Sequence, residues 1–190
     1  MSSRRQRGVT LIELILFILI IGIALAAILG VMNVTTRSSA DPLRSKQALM
    51  IAEGLLEEVQ QARFTRCDPS SDVDATGKCT IPEDWGQVAP EPTGPRPYDN
   101  VNDYVAQANT PVAAFNAAGA LADANGRVLN VSGYTATVAI TPEAVGPAGA
   151  QVGAGGTAAD TDMLRIRITV FFDNRSLVLD GYRARYAPET

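Results

Sequence analysis

The pattern of apolar and polar positions divides this chain before any residue is weighed for its chemistry. From Val9 to Met32 the sequence VTLIELILFILIIGIALAAILGVM is an almost unbroken apolar block, and Glu13 is its single charge. About 24 helical residues span roughly 36 Å at 1.5 Å each, enough to cross the hydrocarbon core of a bilayer. Past the block the pattern becomes amphipathic. Leu49, Ala52, Leu55, Leu56 and Val59 recur at helical spacing, opposite Lys46, Glu53, Glu57, Glu58 and Gln60. This predicts a helix to about Phe64 with one apolar stripe and one solvated face. Asp41 is a suitable N-cap and Pro42 suits a first helical turn, so the helix can start there. Alternatively, one long helix runs from Val9 to Phe64 with a kink near Pro42, where an interior proline removes a hydrogen bond.

Residues 65–98 read as loop, punctuated by Pro69, Pro82, Pro90, Pro92, Pro95 and Pro97. Strand signals come late. Tyr134–Ile140 alternates and is rich in threonine and valine, and a Gly/Ala-rich loop follows from Val145 to Ala159. Leu164, Ile166, Ile168 and Val170 then alternate with Arg165, Arg167 and Thr169, predicting a strand with one buried and one wet face. Asp173-Asn174 reads as a tight turn into a last strand from Ser176 to Tyr186. Three antiparallel strands against the helix stripe make an α+β domain. Arg165, Arg167, Arg183 and Arg185 can share one outward face of that sheet, with edge protection and solubility the preferred reading and a local patch for acidic ligands or DNA the alternative.

Composition narrows the function. The chain has 190 residues, 46% hydrophobic and 19% charged, which fits one folded domain with an appendage. It has no histidine, so the commonest general base and metal ligand are missing. Two cysteines without histidine fall short of a zinc set, and their spacing is not that of a C-x-x-C redox pair. Cys67 and Cys79 are therefore expected to form a structural disulfide in an oxidising compartment. The oxygen-rich run Tyr98–Tyr104 brings calcium to mind, but it lacks the glycine and closing glutamate of an EF-hand loop. Capping and turn formation by Asp and Asn is the preferred reading there. No cofactor, metal or enzymatic constellation is expected.

The N-terminus carries the most specific signal. Arg4, Arg5 and Arg7 precede the apolar block with no acidic companion, orienting the N-terminus to the cytoplasm. An ordinary signal peptide cut at Ala24-Leu25-Ala26 is one reading, but the apolar run continues through Ile28, Leu29 and Val31, and Glu13 would sit inside the h-region. A twin-arginine signal lacks its following context.

The run Arg7-Gly8-Val9-Thr10-Leu11-Ile12-Glu13 resembles the prepilin signature of type IV pilins and type II secretion pseudopilins. That resemblance implies cleavage by a prepilin peptidase after Gly8, methylation of the new N-terminus at Val9, and retention of the apolar segment as helix. Valine replaces the usual phenylalanine at the first mature position. Glu13 is implied to pair with the charged amine of a neighbouring subunit during assembly. A side chain that snorkels or protonates near the membrane surface is the alternative. Losing residues 1–8 removes three arginines and no acid, moving the net charge from −4 to about −7. Such a body is unsuited to nucleic acid, which binds through Lys and Arg.

ADPLRSKQALMIAEGLLEEV, YDNVNDY and GYRARYAP are similar to MshD-type minor pilins of the mannose-sensitive haemagglutinin pilus. The chain is expected to divide into a leader (1–8), a transmembrane and assembly helix (9–32), an amphipathic helix (33–64) that continues into the globular domain, and a periplasmic globular part (65–190). The resemblance implies a low-abundance subunit that helps start or shape the filament. It also implies other pilin subunits and an inner-membrane assembly platform as partners. The protein is then expected in the inner membrane by a single span and on the cell surface after assembly. A minor pseudopilin of type II secretion and a pilus-tip adhesin are the alternatives.

Overall fold

A computed structural model describes residues 8–71, 73–153, 157, 158 and 160–185, with backbone alone over 33–41. The leader residues Arg4, Arg5 and Arg7 lie outside this set, as does Tyr186. The chain forms two compact units, Met1–Arg44 and Ser45–Thr190. One helix, α1 (Leu11–Gln61), contributes to both and contains Pro42. The single-helix alternative is therefore the observed one, and Asp41 lies within the helix instead of capping a second one. The helix stops at Gln61, short of Phe64, because the backbone of Arg63 is captured elsewhere. Its N–H donates to Asp99 (3.0 Å) and its carbonyl accepts from Val101 (2.9 Å).

In the second unit, strands β1 (Asn116–Ala117) and β2 (Ala120–Leu121) form a small hairpin. The main sheet consists of β3 (Tyr134–Pro142), β4 (Met163–Phe172) and β5 (Arg175–Ala184), antiparallel in the order β3-β4-β5. Asp173 and Asn174 turn β4 into β5 with φ of 46° and 58°. Both central residues at positive φ match the right-handed twist of the flanking strands, and asparagine and aspartate tolerate that conformation.

The alternation read in β4 is observed: Leu164, Ile166, Ile168, Val170 and Phe172 are all buried. They pack with Ala136, Val138 and Ile140 of β3 and with Ala48, Ala52, Leu55, Leu56 and Val59 of α1. The helix stripe thus begins at Ala48, and Leu49 is exposed. Small residues at 48 and 52 and a glycine in β5 bring helix and sheet close. A β-carbon at Gly181 would lie 2.6 Å from Gln60 Nε2 and 2.8 Å from a Leu56 methyl. Tyr134 of β3 adds a polar tie, its hydroxyl donating to Gln47 Oε1 at 2.8 Å.

Cys67 and Cys79 are joined, with Cα atoms 5.3 Å apart. The linkage closes a loop flanked by the bridges Cys67↔Pro82 and Val73↔Cys79. In the chain-entropy account, a loop of this size restricts the unfolded chain by about 3 kcal/mol. Cys67→Ser should lower the melting temperature accordingly, and thiol reagents should label the wild type only after reduction. Free labelling of both thiols without reductant, in protein isolated from the envelope, refutes the structural role.

Candidate functional site

In the first unit, Gly8, Val9 and Thr10 precede the helix and are exposed. Thr10 acts as the cap of α1: its Oγ1 accepts from the Glu13 N–H at 3.4 Å, and its carbonyl from Leu14 N–H at 3.2 Å. The spacing Thr10-x-x-Glu13 is that of a capping box. Glu13 therefore stands in the first turn of the helix, at its positive end, not in mid-helix. The segment Leu11–Met32 carries Glu13 as its single charge, and none of it is buried within the chain. So much bare apolar surface needs an apolar surrounding, and length and composition suit a bilayer.

In the second unit, Glu58 overturns its expected place on the solvated face. Its side chain is 8% exposed and forms a two-pronged ion pair with Arg96, at 2.8 Å (Nε to Oε1) and 2.7 Å (Nη2 to Oε2). The Tyr104 hydroxyl also donates to Glu58 Oε1 at 3.0 Å. Arg96 further donates to the carbonyl of Ala122 at 3.2 Å and lies over the Phe115 ring at 5.0 Å. Burial, and then the adjacent Glu58 charge, hold the Tyr104 phenol well above its ordinary value. Helical spacing put Glu58 on the solvated face and gave no signal for Arg96, because their partnership crosses a proline-rich loop.

The polar run Tyr98–Tyr104 contains a 3-10 turn (Val101–Tyr104). Asp103 Oδ2 accepts from the Asn100 N–H at 3.2 Å, the capping role expected of such a cluster. The fold adds what the local sequence did not suggest. Glu83 and Glu91 come to Asp103, with one oxygen of each carboxyl within 4.8 Å of the others. All three residues are buried, at 3%, 7% and 7% exposure, and Asp68 beside the disulfide is buried at 2%. Burial first, then the charges of Asp103, Glu91 and Asp68, pushes Glu83 up to about 9. Burial and Glu91 push Asp103 up to about 8, and Glu91 is also raised, chiefly by burial.

The four arginines do not share a face. Arg167 pairs with Asp180 across the outer side of the sheet, both bonds at 2.7 Å, and Arg165 pairs with Glu143 at 2.9 Å. Arg183 stands opposite Leu164 in the register and reaches the Ala62 carbonyl at 3.4 Å, so it points to the helix side. Arg185 is buried, lies 4.6 Å from the centre of the Phe64 ring and donates to the Ala158 carbonyl at 3.1 Å. A strand's alternation sends Arg165 and Arg167 outward, and the β4-β5 register sends Arg183 the other way.

Residues 3–29 match the family model described as the prokaryotic N-terminal methylation motif. No significant match was found among curated proteins or among solved structures. The matched stretch contains Gly8, Val9 and Glu13 and most of the apolar part of α1. Together with the apolar helix and the α+β architecture, the motif points to a type IV pilin- or pseudopilin-like protein, a membrane-anchored structural subunit whose motif implies a prepilin peptidase and other pilins as partners.

Proposed function

We propose that this chain is a minor pilin-like subunit that helps to assemble or initiate a type IV pilus of the mannose-sensitive haemagglutinin kind. A prepilin peptidase cuts after Gly8 and Val9 receives the methyl group. The helix from 9 to 32 holds the subunit in the inner membrane and then packs among its neighbours in the filament. Glu13 meets the amine of an adjacent subunit, and the part beyond residue 64 faces the periplasm and later the cell exterior. The observation that carries this reading is the methylation motif over residues 3–29, which overlaps a helical stretch, Leu11–Met32, whose apolar side chains are bare.

Motif and bare helix support each other physically. A cleavage after Gly8 leaves the whole apolar segment on the mature protein, where it serves as anchor and as packing surface. Intact mass of the envelope protein tests it: the mature chain should begin at Val9 and carry one added methyl group. A mature N-terminus at Ala27 restores the ordinary signal peptide and removes the pilin reading. Recovery with sheared fibres separates the pilus role from a pseudopilin role, in which protein secretion fails and surface fibres are unaffected.

A further inference from the structure

We propose that Glu83, Glu91 and Asp103 bind a calcium ion that ties together the irregular loops of the globular unit. This does not rest on the filament reading, since it concerns residues far along the chain from the methylation motif. Three carboxyls this deeply buried and this close cannot all be ionised without a counter-charge, so they hold either protons or a cation. No hydrogen-bond donor of the protein reaches either Glu83 oxygen, although Glu83 is only 3% exposed. Glu91 Oε1 and Asp103 Oδ1 likewise accept from no protein donor, although the Glu91 and Asp103 carboxyls lie close enough to share a proton. Asp103 is held through its other oxygen by the Asn100 N–H, which leaves Oδ1 available to an ion.

Two neutral oxygens lie in the same turn as Asp103. Asn100 Oδ1 and Asn102 Oδ1 belong to fully buried residues flanking Asp103 in the same turn, and neither has a hydrogen-bond partner in the protein. The Asn100 amide is oriented by its donation to Thr65 Oγ1 at 3.2 Å. Arg185 feels the charge of Glu83, but its guanidinium also faces Asp162 at 3.8 Å, the Ala158 carbonyl and the Phe64 ring.

The donor chemistry selects the ion. Carboxylate and amide oxygens, with both cysteines in the disulfide, suit a hard divalent cation. Oxygens up to 4.8 Å apart fit around calcium, which at about 2.3–2.6 Å per bond accommodates opposite ligands roughly 4.6–5.2 Å apart. Magnesium, at about 2.0–2.1 Å, spans only some 4.2 Å and keeps much of its water. The three ligands also sit on backbone that is already pinned. Glu83 N–H donates to the Arg66 carbonyl at 3.0 Å and Glu91 N–H to the Val88 carbonyl at 3.1 Å. An ion here would join the segment after the disulfide loop, the proline-rich loop and the 3-10 turn.

The test uses the full mature chain in detergent, stripped with chelator and titrated with calcium chloride by calorimetry and by thermal melting. One calcium should bind per chain, and the melting temperature should rise by about 5–10 °C at a hundredfold excess over the Kd. Glu83→Gln keeps the volume and removes one charge. It should weaken calcium binding at least tenfold, while its melting temperature in chelator equals or exceeds that of the wild type. The second readout shows that the variant folds. Absence of both heat and melting shift at about 1 mM calcium, the weak end for extracellular modules, overturns the proposal. So does a Glu83→Gln chain that keeps the full calcium response, and an equal response to magnesium overturns the choice of ion.

Discussion

Replacing Glu58 with alanine should destabilise the globular unit by about 3–5 kcal/mol, the cost of breaking a buried ion pair from one side. The substitution removes the acceptor of three donors at once: Arg96 Nε, Arg96 Nη2 and the Tyr104 hydroxyl. Arg96 keeps its carbonyl contact to Ala122 and its place over Phe115, but its charge stays buried without a counter-ion. Urea denaturation compared with wild type measures the loss, and a change below about 1 kcal/mol would mean that water reaches the pair and screens it. The double variant Glu58→Ala with Arg96→Met should recover part of the loss, since it removes the stranded charge as well. This pair links α1 to the loop before the 3-10 turn, so the same variant should also make that loop more susceptible to protease.

Glu13→Ala should leave membrane level and cleavage near normal while reducing incorporation of the subunit into fibres at least tenfold. Anchoring depends on the apolar length from Leu11 to Met32, and removing a charge from such a segment favours insertion. Within the single chain, Glu13 interacts with the positive end of α1, worth only about 0.3–1 kcal/mol. Thr10 Oγ1 accepts from the backbone N–H of residue 13, a bond that alanine retains. The isolated helix therefore loses little. In a packed bundle of such helices the carboxylate is proposed to meet a neighbour's amine, and an unpaired amine in that low-dielectric setting is costly. The measurement is the proportion of variant subunit in sheared fibres, together with fibre number per cell. Wild-type proportion and fibre number would leave Glu13 as a charge at the helix N-terminus alone.

Elements governed by neighbours along the chain were legible from the sequence. The apolar block reads as a membrane-length helix because nothing in the tertiary structure covers Leu11–Met32. Strands β3, β4 and β5 were read within a few residues of their ends, because one face of β3 and β4 is buried, one face of β5 is half-buried, and the side-chain period of two shows in the sequence. The turn at Asp173-Asn174 follows from two residues that tolerate positive φ. By contrast, the short hairpin of β1 and β2 went unread. Two residues per strand are too few to make a pattern, and the turn between them places Ala118 at a φ of 50°.

What the sequence by itself determined is the division of labour: an apolar N-terminal helix behind a processing motif, then an α+β body closed by three antiparallel strands. Such features depend on residues a few positions apart, whose periodicity and turn chemistry are local. Only the tertiary structure decided which charges are buried and with whom. Glu58 lies on a helix face that looks wet by spacing, and it is dry because Arg96 and Tyr104 arrive from a loop nearly 40 and more residues onward. Arg183 and Arg185 seem to belong with Arg165 and Arg167, yet the strand register and the close of β5 turn them inward. Glu83 and Glu91 are unremarkable in their own segments, and Asp103 reads in its own as a capping residue. They become a candidate ion site because the bridge Cys67↔Pro82 and the Arg63 backbone bonds fold their loops onto one buried point, where solvent no longer screens their charge.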